Sequence, residues 1–534
     1  MRILSPRFMI RALEAANKAA LTGINIAMEW HKACEHVCRT WSTEMKMITR
    51  IAAALIVFSM STSSLAFGTG SHFDLTRTVL TEHRFSNVPI EIVQVENWLT
   101  DYYSNSPTYG EKKREVLEKL HFDNLFTEDQ VRKYWSVLLR NLKISTEQAA
   151  RKNDQLEMLI ILGIGLHSVQ DFYSHSNWVE MHPSAHKGEY RSDTFWKMAA
   201  LHPNASFDGL HTGKFPEDRT SGPGIDLVPL GAEIHGGYIS GLNKDSPSRR
   251  GWDEAYVFAY AASHELVTAI EKWADEVRPG FWRSVREYAV DISDADKLKK
   301  DIAAARSISM WFDEKGQDGN WKGPGSGSTR FFAAFSSKWI TSDSSRFVKA
   351  LRDGHIQDDL SADLYSRVTV PELPSVEPYS LQRTAVTIKV TYVAERKDSN
   401  WLKRRVPSPG GSDFYSLITA GRQEFWGRTM QHSRESLDPW YEIAIVDSST
   451  ADLPIRISIW DEDDINPLKD EHIDINPTPG TFDLKTIFDI SNGSCAGDIR
   501  GTFNADDKTF LFEGAKPEKR RATIRGFINA MPIY

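Results

Sequence analysis

The chain has few cysteines, no excess of positive charge and no long apolar run, and each of these features would have indicated a particular class of protein. Its 534 residues include three cysteines, and the net charge is −8. Without a basic excess, the sequence lacks the charge pattern of a protein that binds duplex nucleic acid. Internal repeats and low-complexity tracts are also absent. The composition is that of ordinary globular domains, and the length is enough for two or three of them.

The apolar run at residues 51–58 is too short to cross a bilayer whose hydrocarbon core is about 30 Å thick. A charged segment precedes it and Ser64-Leu65-Ala66 follows it, which is the order of an export signal and its cleavage site. We therefore predict a signal peptide at about residues 45–66 and an exported protein, periplasmic or secreted. Residues 1–44 would then be an over-long extension of the gene model. A buried helix is the alternative interpretation of the run.

The positions of the cysteines bear on how an exported chain is stabilised. Cys34 and Cys38 lie in the predicted extension, so the mature chain would hold Cys495 alone and could form no internal disulfide. An exported protein without disulfides depends on its hydrophobic core or on bound metal for stability.

Changes of periodicity divide the chain after the predicted signal. Helical patterns prevail over residues 67–310, for example at Glu147–Tyr173, and residues 182–251 predict long loops because they are rich in Gly, Pro, His and Ser. A helical extension and linker are predicted at 311–379. Residues 380–534 alternate with a period of two. The fold class predicted is multidomain α+β, an α-helical domain followed by an all-β sandwich.

The apolar segment 156–164 leads directly into His167, Asp171 and His175. These three residues are four apart, so on an α-helix each step drifts by only about 40° and all three lie on one stripe. Burying imidazole and carboxylate groups costs free energy unless partners satisfy them, and a metal ion is one such partner. The spacing and the apolar context together predict a metal-bearing helix.

Other histidines and carboxylates of the helical region extend this set of metal ligands. They are His72, His121, Asp123, His235 and His264. A core histidine is the alternative interpretation for His264. Imidazole and carboxylate ligands suit Zn²⁺, and a set of this size predicts two or three ions. Paired ions about 3.5–4 Å apart would activate a water and hold the attacking and leaving oxygens of a phosphodiester.

Four segments carry a family resemblance. They are GTGSHFDLTRTVL from residue 68, LHFDNL from 120, LHSVQDFYSHSNWVE from 166 and HGGYISGLNKD from 235. Over about residues 67–280 they resemble the HET-C family, named after a fungal heterokaryon-incompatibility protein and including bacterial members. That family resembles zinc-dependent phospholipase C and the S1/P1 nucleases, which share an α-helical fold and a site for three zinc ions.

The resemblance implies roles for individual residues. His167 and Asp171 match the His-x3-Asp pair of the phospholipase helix, which makes both catalytic and Asp171 the carboxylate that bridges metals. His72 matches the early ligand. His175 follows Asp171 by four residues, where the phospholipases have a wider gap.

The remaining ligands match less closely. His121 or Asp123 fits the middle Asp/His pair, but neither His235 nor His264 is followed at the family's spacing by a carboxylate. Three polar residues near the helix end are candidates for binding substrate or supporting the ligands, with bracing of a loop or a helix end as the alternative. They are Asn177, Glu180 and Lys244.

The β-region resembles a C2 domain, in which loop aspartates hold Ca²⁺ against anionic lipid headgroups. The matching ligand positions are Asp413, Asp461, Asp463 and Asp470. Several carboxylates with hard oxygen ligands suit that ion. The first-loop aspartate of the pattern falls at Pro407, and acidic loops that are merely solvated are the alternative.

The two resemblances, together with the predicted signal peptide and metal ligands, imply an exported zinc-dependent hydrolase of phospholipase C type, which cleaves glycerophospholipids with a metal-activated water. The C2-like domain would bring the site to a membrane surface. One alternative is a nuclease or nucleotidase of the S1/P1 type. The other is a non-catalytic membrane-binding or toxin-like protein whose zinc is structural.

Overall fold

A computed structural model describes the chain from residue 69 onward, with gaps. The described residues are 69–104, 120–182, 189–215, 231–236, 241–247, 249–290, 373–374, 382–396, 414–427, 435–461, 471–499, 503–504, 506–515 and 521–534. The predicted extension and signal peptide lie outside these ranges, as does the predicted linker apart from two residues.

Helices form the first part of the described chain, as the sequence predicts. Their bounds are α1 Thr69–Glu82, α2 Asn87–Ser104, α3 Glu128–Lys152, α4 Gln155–His175, α5 Trp178–Met181, α6 Phe195–Leu201, α7 Trp252–Val277 and α8 Phe281–Arg286. None of the helices in the described ranges combines the length and the apolar character that crossing a membrane requires.

The helical pattern at Glu147–Tyr173 belongs to two helices, because α3 ends and α4 begins inside it. Asn153 has φ 57° and ψ 40°, a left-handed conformation that asparagine tolerates better than most residues. The Asp154 side chain then accepts a hydrogen bond from the Glu157 backbone N–H and caps α4. An Asn-Asp pair thus stops one helix and starts the next.

Helix α4 is the centre of the helical region. It packs against α2, α3 and α7, and every residue from Met158 to His175 is buried. Gly163 allows the close approach of α2, since a Cβ there would lie 2.6 Å from Glu96 Cβ and 3.0 Å from the Asn97 backbone nitrogen. The polar stripe of α4 is therefore enclosed by other helices and needs partners inside the protein.

A buried acid, Glu265, links α7 to the start of α6. The Thr194 hydroxyl lies 2.8 Å and 2.7 Å from its two carboxylate oxygens. Burial raises the pKa of Glu265 to about 8. The carboxyl group is therefore protonated in the folded protein at neutral pH, whereas in the unfolded chain it is ionised.

Replacing Glu265 by glutamine is expected to stabilise the protein at alkaline pH. A pKa raised on folding gives stability that is complete below about pH 4.5 and is lost as pH rises toward 8. The neutral amide does not titrate, so Glu265→Gln should gain about 4 kcal/mol over the wild type at pH 9 and little at pH 4. Urea unfolding of both proteins across this pH range measures the difference, and an equal pH dependence would contradict it.

The second part of the described chain forms two antiparallel sheets. Its strands are β1 Arg383–Arg396, β2 Phe414–Ala420, β3 Gln423–Trp426, β4 Glu435–Asp447, β5 Asp452–Asp461, β6 Glu471–Ile473, β7 Leu484–Asp489, β8 Ser494–Gly497, β9 Thr509–Glu513 and β10 Arg521–Ile533. One sheet has the order β4-β1-β10-β9, and the other has β3-β2-β5-β7-β8 with β6 beside β5. Buried aliphatic and aromatic side chains from both sheets form one core. The predicted order, helices followed by a β-sandwich, is confirmed at this level.

Direct hydrogen bonds join the helical and β-regions. The Tyr190 N–H donates to the Pro532 carbonyl at 2.9 Å, and the Tyr534 N–H donates back to the Tyr190 carbonyl at 2.9 Å. Arg383 of β1 lies 3.4 Å from the Glu82 carboxylate at the end of α1. The end of β10 is therefore attached to the loop that precedes α6.

Candidate metal centre

Two groups of buried histidines and aspartates lie along α4, and each contains ligand atoms within 4.8 Å of one another. The Asp171 group consists of His72, His167 and Asp171, and the His175 group consists of Asp123, His175 and His235. Asp171 and His175 are one turn apart, which is about 6 Å along the helix axis. These two groups contain six of the eight residues that the sequence predicts as metal ligands, and a seventh, His121, lies beside the Asp171 group.

In the Asp171 group, one carboxylate faces imidazoles on both sides. Asp171 Oδ1 lies 3.0 Å from His72 Nε2, and Asp171 Oδ2 lies 3.0 Å from His167 Nε2. His121 stands at the edge of the group, with its Nε2 3.1 Å from His167 Nε2 and 4.0 Å from Asp171 Oδ2. Such a carboxylate can bridge two ions, since each oxygen meets a different set of nitrogens.

His121 and Asp123 reach different groups because of a strained turn between them. Phe122 has φ 59°, a left-handed conformation that is rare for a bulky residue, and Asn124 has φ 63°. The Phe122 ring is buried in contact with Phe172 and Trp135. The turn thus places an aromatic ring in the core while both flanking side chains face the polar centre.

Asp245 lies beside the His175 group as a further candidate ligand, which the sequence analysis did not predict. Asp245 Oδ1 lies 3.3 Å from His175 Nε2, and Asp245 is completely buried. Asp123 Oδ1 lies 3.9 Å from His175 Nδ1 and 3.8 Å from His235 Nε2. Two imidazoles and two carboxylates are a donor set that suits zinc.

All four histidines of the two groups have a second ring nitrogen that meets an acceptor. His175 Nδ1 donates to the His121 carbonyl at 2.8 Å, and His235 Nδ1 donates to the Gly236 carbonyl at 2.7 Å. His72 Nδ1 lies 2.6 Å from Gln170 Oε1, and His167 Nδ1 lies 3.1 Å from Asn97 Oδ1. Each Nε2 therefore faces a carboxylate, as in metal-ligating histidines whose ion lies between the two groups. The residues present fit a metal site.

The electrostatics of the centre agree with this geometry. Burial alone would raise the pKa of Asp171, but the imidazoles of His167, His175 and His72 hold that pKa well below its usual range. Burial, followed by the neighbouring His175, lowers the pKa of His235 to about 3. The centre thus holds an ionised carboxylate and a neutral imidazole at neutral pH, which are the forms that bind metal ions.

Loop contacts explain how Asp245 reaches the end of α4. The buried Lys244 ammonium donates to the Ser176 and Leu242 carbonyls, each at 2.8 Å, and lies 3.2 Å from Glu180. The Asn243 side-chain amide donates to the Asp245 carboxylate. Lys244 and Glu180, both predicted to bind substrate or support the ligands, therefore tie the loop to the helix end.

Asn177 has a related bracing role. Its Nδ2 donates to the Gly209 carbonyl at 2.9 Å, and its Oδ1 accepts from the His211 N–H at 3.0 Å. Nearby, the Gly213 N–H donates to the His175 carbonyl at 3.1 Å. A Cβ at Gly213 would collide with the His235 backbone, so glycine permits this approach of the two loops.

Replacing Asp245 by asparagine is expected to weaken metal binding to the His175 group by at least about tenfold. Even the loss of a residue that only hydrogen-bonds to a ligand lowers metal affinity by that much. The amide keeps the shape of the side chain but removes the negative charge. Competition titration with a zinc indicator measures the change. Asp154→Asn is the matched control, since that aspartate caps the opposite end of α4 by accepting from the Glu157 N–H. Equal zinc affinity in Asp245→Asn and the wild type would contradict the assignment.

His264 lies in a separate network, which corrects its predicted role as a metal ligand. Its Nε2 is 2.9 Å from Glu82 Oε2, and its Nδ1 is 2.9 Å from His83 Nε2. The Tyr260 hydroxyl donates to the same Glu82 oxygen at 2.6 Å. Both ring nitrogens of His264 are thus engaged near the contact with the β-region, which agrees with the alternative of a core histidine.

Among the residues predicted to bind calcium, Asp461 ends β5 and pairs with Glu471 of β6. Asp413, Asp463 and Asp470 lie outside the described residues. The calcium site therefore stays a prediction.

One family model resembles part of the helical region. A family model for the VWA7 N-terminal domain matches residues 100–192, which include His167, Asp171 and His175. The match covers a minor part of the chain, so it is a likeness over that part. None of the curated proteins matches the sequence.

Solved structures that resemble the chain include human GIVD cytosolic phospholipase A2 bound to methyl gamma-linolenyl fluorophosphonate, at 12% identity and a TM-score of 0.17. That likeness covers 28% of this chain and 17% of the phospholipase. A pair of C2 domains from extended synaptotagmin 2 shares 17% identity, with a TM-score of 0.18, over 30% of this chain and 48% of theirs. A single C2 domain of a plant extended synaptotagmin 1 shares 11% identity, with a TM-score of 0.19, over 29% of this chain and 99% of that domain.

Proposed function

We propose that this protein is an exported zinc-dependent hydrolase of phospholipase C type, related to the HET-C family. The observation that carries the proposal is the pair of buried ligand groups one helical turn apart on α4. Every histidine of these groups turns one nitrogen to the centre and has the other close to an acceptor oxygen. This placement of the two ring nitrogens is typical of histidines that bind metal, and histidines that merely pack in a core do not require it.

The residues divide the work of the reaction as follows. His72, His167 and Asp171 would hold one part of the metal centre, with His121 beside them, and the His175 group with Asp245 would hold the other. When bound, zinc ions polarise a phosphoryl oxygen and lower the pKa of a water. Hydrolysis adds the water oxygen to phosphorus and breaks the P–O bond to diacylglycerol, whose oxygen takes up a proton released by the water, so the products are diacylglycerol and a phosphorylated headgroup.

The chain's own contribution is to keep the centre rigid and dry. Asp171 and the four histidines of the two groups are nearly or completely buried, so their charges act in a medium of low dielectric constant. The hydrogen bonds from Lys244 and Asn243 hold the Asp245 loop in place before substrate arrives. Preorganised groups of this kind need little rearrangement during the reaction.

The β-region would bring the centre to a membrane surface. Its two-sheet sandwich and the sequence resemblance to C2 domains support this part of the proposal. Tyr190 contacts β10, and Arg383 contacts Glu82. These contacts would hold the helical region in a defined orientation when the β-region binds a membrane.

Metal analysis of the purified full chain, followed by hydrolysis assays, tests the proposal. We expect bound zinc, release of phosphorylated headgroup from phosphatidylcholine vesicles, and loss of that activity with a chelator. Absence of bound zinc would contradict the metal centre. Zinc with hydrolysis of single-stranded DNA but not of lipid would favour a nuclease, and zinc without any hydrolysis would favour a structural role.

A further inference from the structure

Two of the four histidines are held by side-chain amides and not by backbone carbonyls. Gln170 Oε1 faces His72 Nδ1, and Asn97 Oδ1 faces His167 Nδ1. A backbone carbonyl can only accept a hydrogen bond, but an amide group presents either its oxygen or its nitrogen. Something must therefore fix which end of each amide meets the histidine.

Ser263 on α7 determines which end of the Gln170 amide donates and which end accepts. The Ala259 carbonyl accepts a hydrogen bond from the Ser263 hydroxyl at 2.7 Å, which uses the only hydrogen of that hydroxyl. Ser263 Oγ must then accept from Gln170, whose Nε2 lies 3.2 Å away. This contact turns Gln170 Oε1 toward His72, at 2.6 Å from Nδ1.

The orientation of Gln170 in turn determines the orientation of Asn97, the partner of His167. Gln170 Oε1 is an acceptor, so the atom of Asn97 that faces it at 3.1 Å must be the amide nitrogen. Asn97 Oδ1 is then left to face His167 Nδ1 at 3.1 Å. Thr76 Oγ1, 3.2 Å from Asn97 Nδ2, accepts from the same amide.

We propose that Ser263, Gln170 and Asn97 form a directed hydrogen-bond chain that positions His72 and His167, so that both present Nε2 to Asp171. The three residues are completely buried, and water therefore does not compete for these bonds. They are positioning residues, since they act through the two histidines. The inference rests on the proposed metal centre and adds the means by which its ligands are oriented.

The test uses variants of Gln170 in the full-length protein. Gln170→Met removes the acceptor for His72 Nδ1 and for Asn97 while keeping a similar volume. Gln170→Glu keeps the acceptor oxygens and should restore binding. Gln94→Met is the matched control, because Gln94 is another buried amide, on the same helix as Asn97, that donates to the Phe73 carbonyl. Thermal unfolding of each variant checks that it is folded.

Two readouts are measured with cadmium as the probe. Gln170→Met should weaken cadmium affinity by about 10- to 100-fold, the usual cost of losing a partner behind a ligand. In protein with ¹⁵N-labelled histidine, coupling from ¹¹³Cd should reach Nε2 of His72 in the wild type and in Gln170→Glu. In Gln170→Met that coupling should vanish or move to Nδ1.

The outcomes separate this inference from the proposed function. If the wild type binds neither zinc nor cadmium, the metal centre itself is wrong. If it binds cadmium and Gln170→Met binds equally well through His72 Nε2, only the positioning role is wrong. If Gln94→Met weakened cadmium affinity as much as Gln170→Met, the positioning role would also be wrong, because any buried amide would then have the same effect.

Discussion

Asp171→Asn is expected to reduce phospholipid hydrolysis by more than about 100-fold and to lower the zinc content. The loss of a residue that only hydrogen-bonds to a metal ligand already reduces metal affinity or activity by about 10- to 100-fold. The two carboxylate oxygens of Asp171 face different histidines, each at 3.0 Å. Asparagine keeps the size of the side chain but replaces one oxygen with a donor. It therefore loses both the negative charge and the second ligand atom, and metal analysis with headgroup release measures the effect.

A matched control lies on the same helix. Asp154 caps α4 by accepting from the Glu157 N–H, and asparagine caps a helix about as well as aspartate. Asp154→Asn should therefore keep both zinc and activity. If Asp171→Asn kept its zinc and its full activity, the carboxylate would have no bridging role. If it lost zinc but the wild type hydrolysed no phosphodiester, the metal would be structural.

The sequence predicted the part of the centre that depends on helical spacing. His167, Asp171 and His175 belong to one helix, so their separation of four residues determines their common direction. The apolar residues before them indicated that the stripe would be buried, and the structure encloses α4 with α2, α3 and α7. Sequence and structure agree here because one local rule governs both.

Ligands from irregular segments were harder to predict. Asp245 follows His235 by ten residues in a loop, and its position depends on hydrogen bonds of Lys244 and Asn243 that no periodicity encodes. The segment HGGYISGLNKD ends in Asn243-Lys244-Asp245, but its sequence alone did not show that Asp245 faces His175.

The supporting amides were missed for a different reason. Gln170 and Asn97 lie on two helices, and the sequence contains no sign that their side chains meet. His264 was assigned to the metal set because it is a histidine on an apolar helix. Only its contact with Glu82 on another helix shows that its partner is a carboxylate near the β-region.

Removing the metal ions is expected to lower the free energy of unfolding by about 5 kcal/mol. A ligand that binds only the folded state at 100 times its Kd adds about 2.7 kcal/mol for each site, and the structure has two groups. Without ions, the buried carboxylates Asp123, Asp171 and Asp245 would lose the cations that offset their negative charge. Urea unfolding with a chelator and with added zinc measures the difference.

The matched controls separate the helical centre from the β-region. Added zinc should restore the lost stability, whereas added calcium should not, because nitrogen-rich ligand sets favour zinc over a hard oxygen-seeking ion. The double variant Asp171→Asn and Asp245→Asn disables both groups, so its unfolding should no longer respond to the chelator. Recovery with calcium alone would instead place the stabilising ion in the β-region. A wild type whose unfolding ignores the chelator would show that the buried carboxylates and imidazoles balance one another without metal.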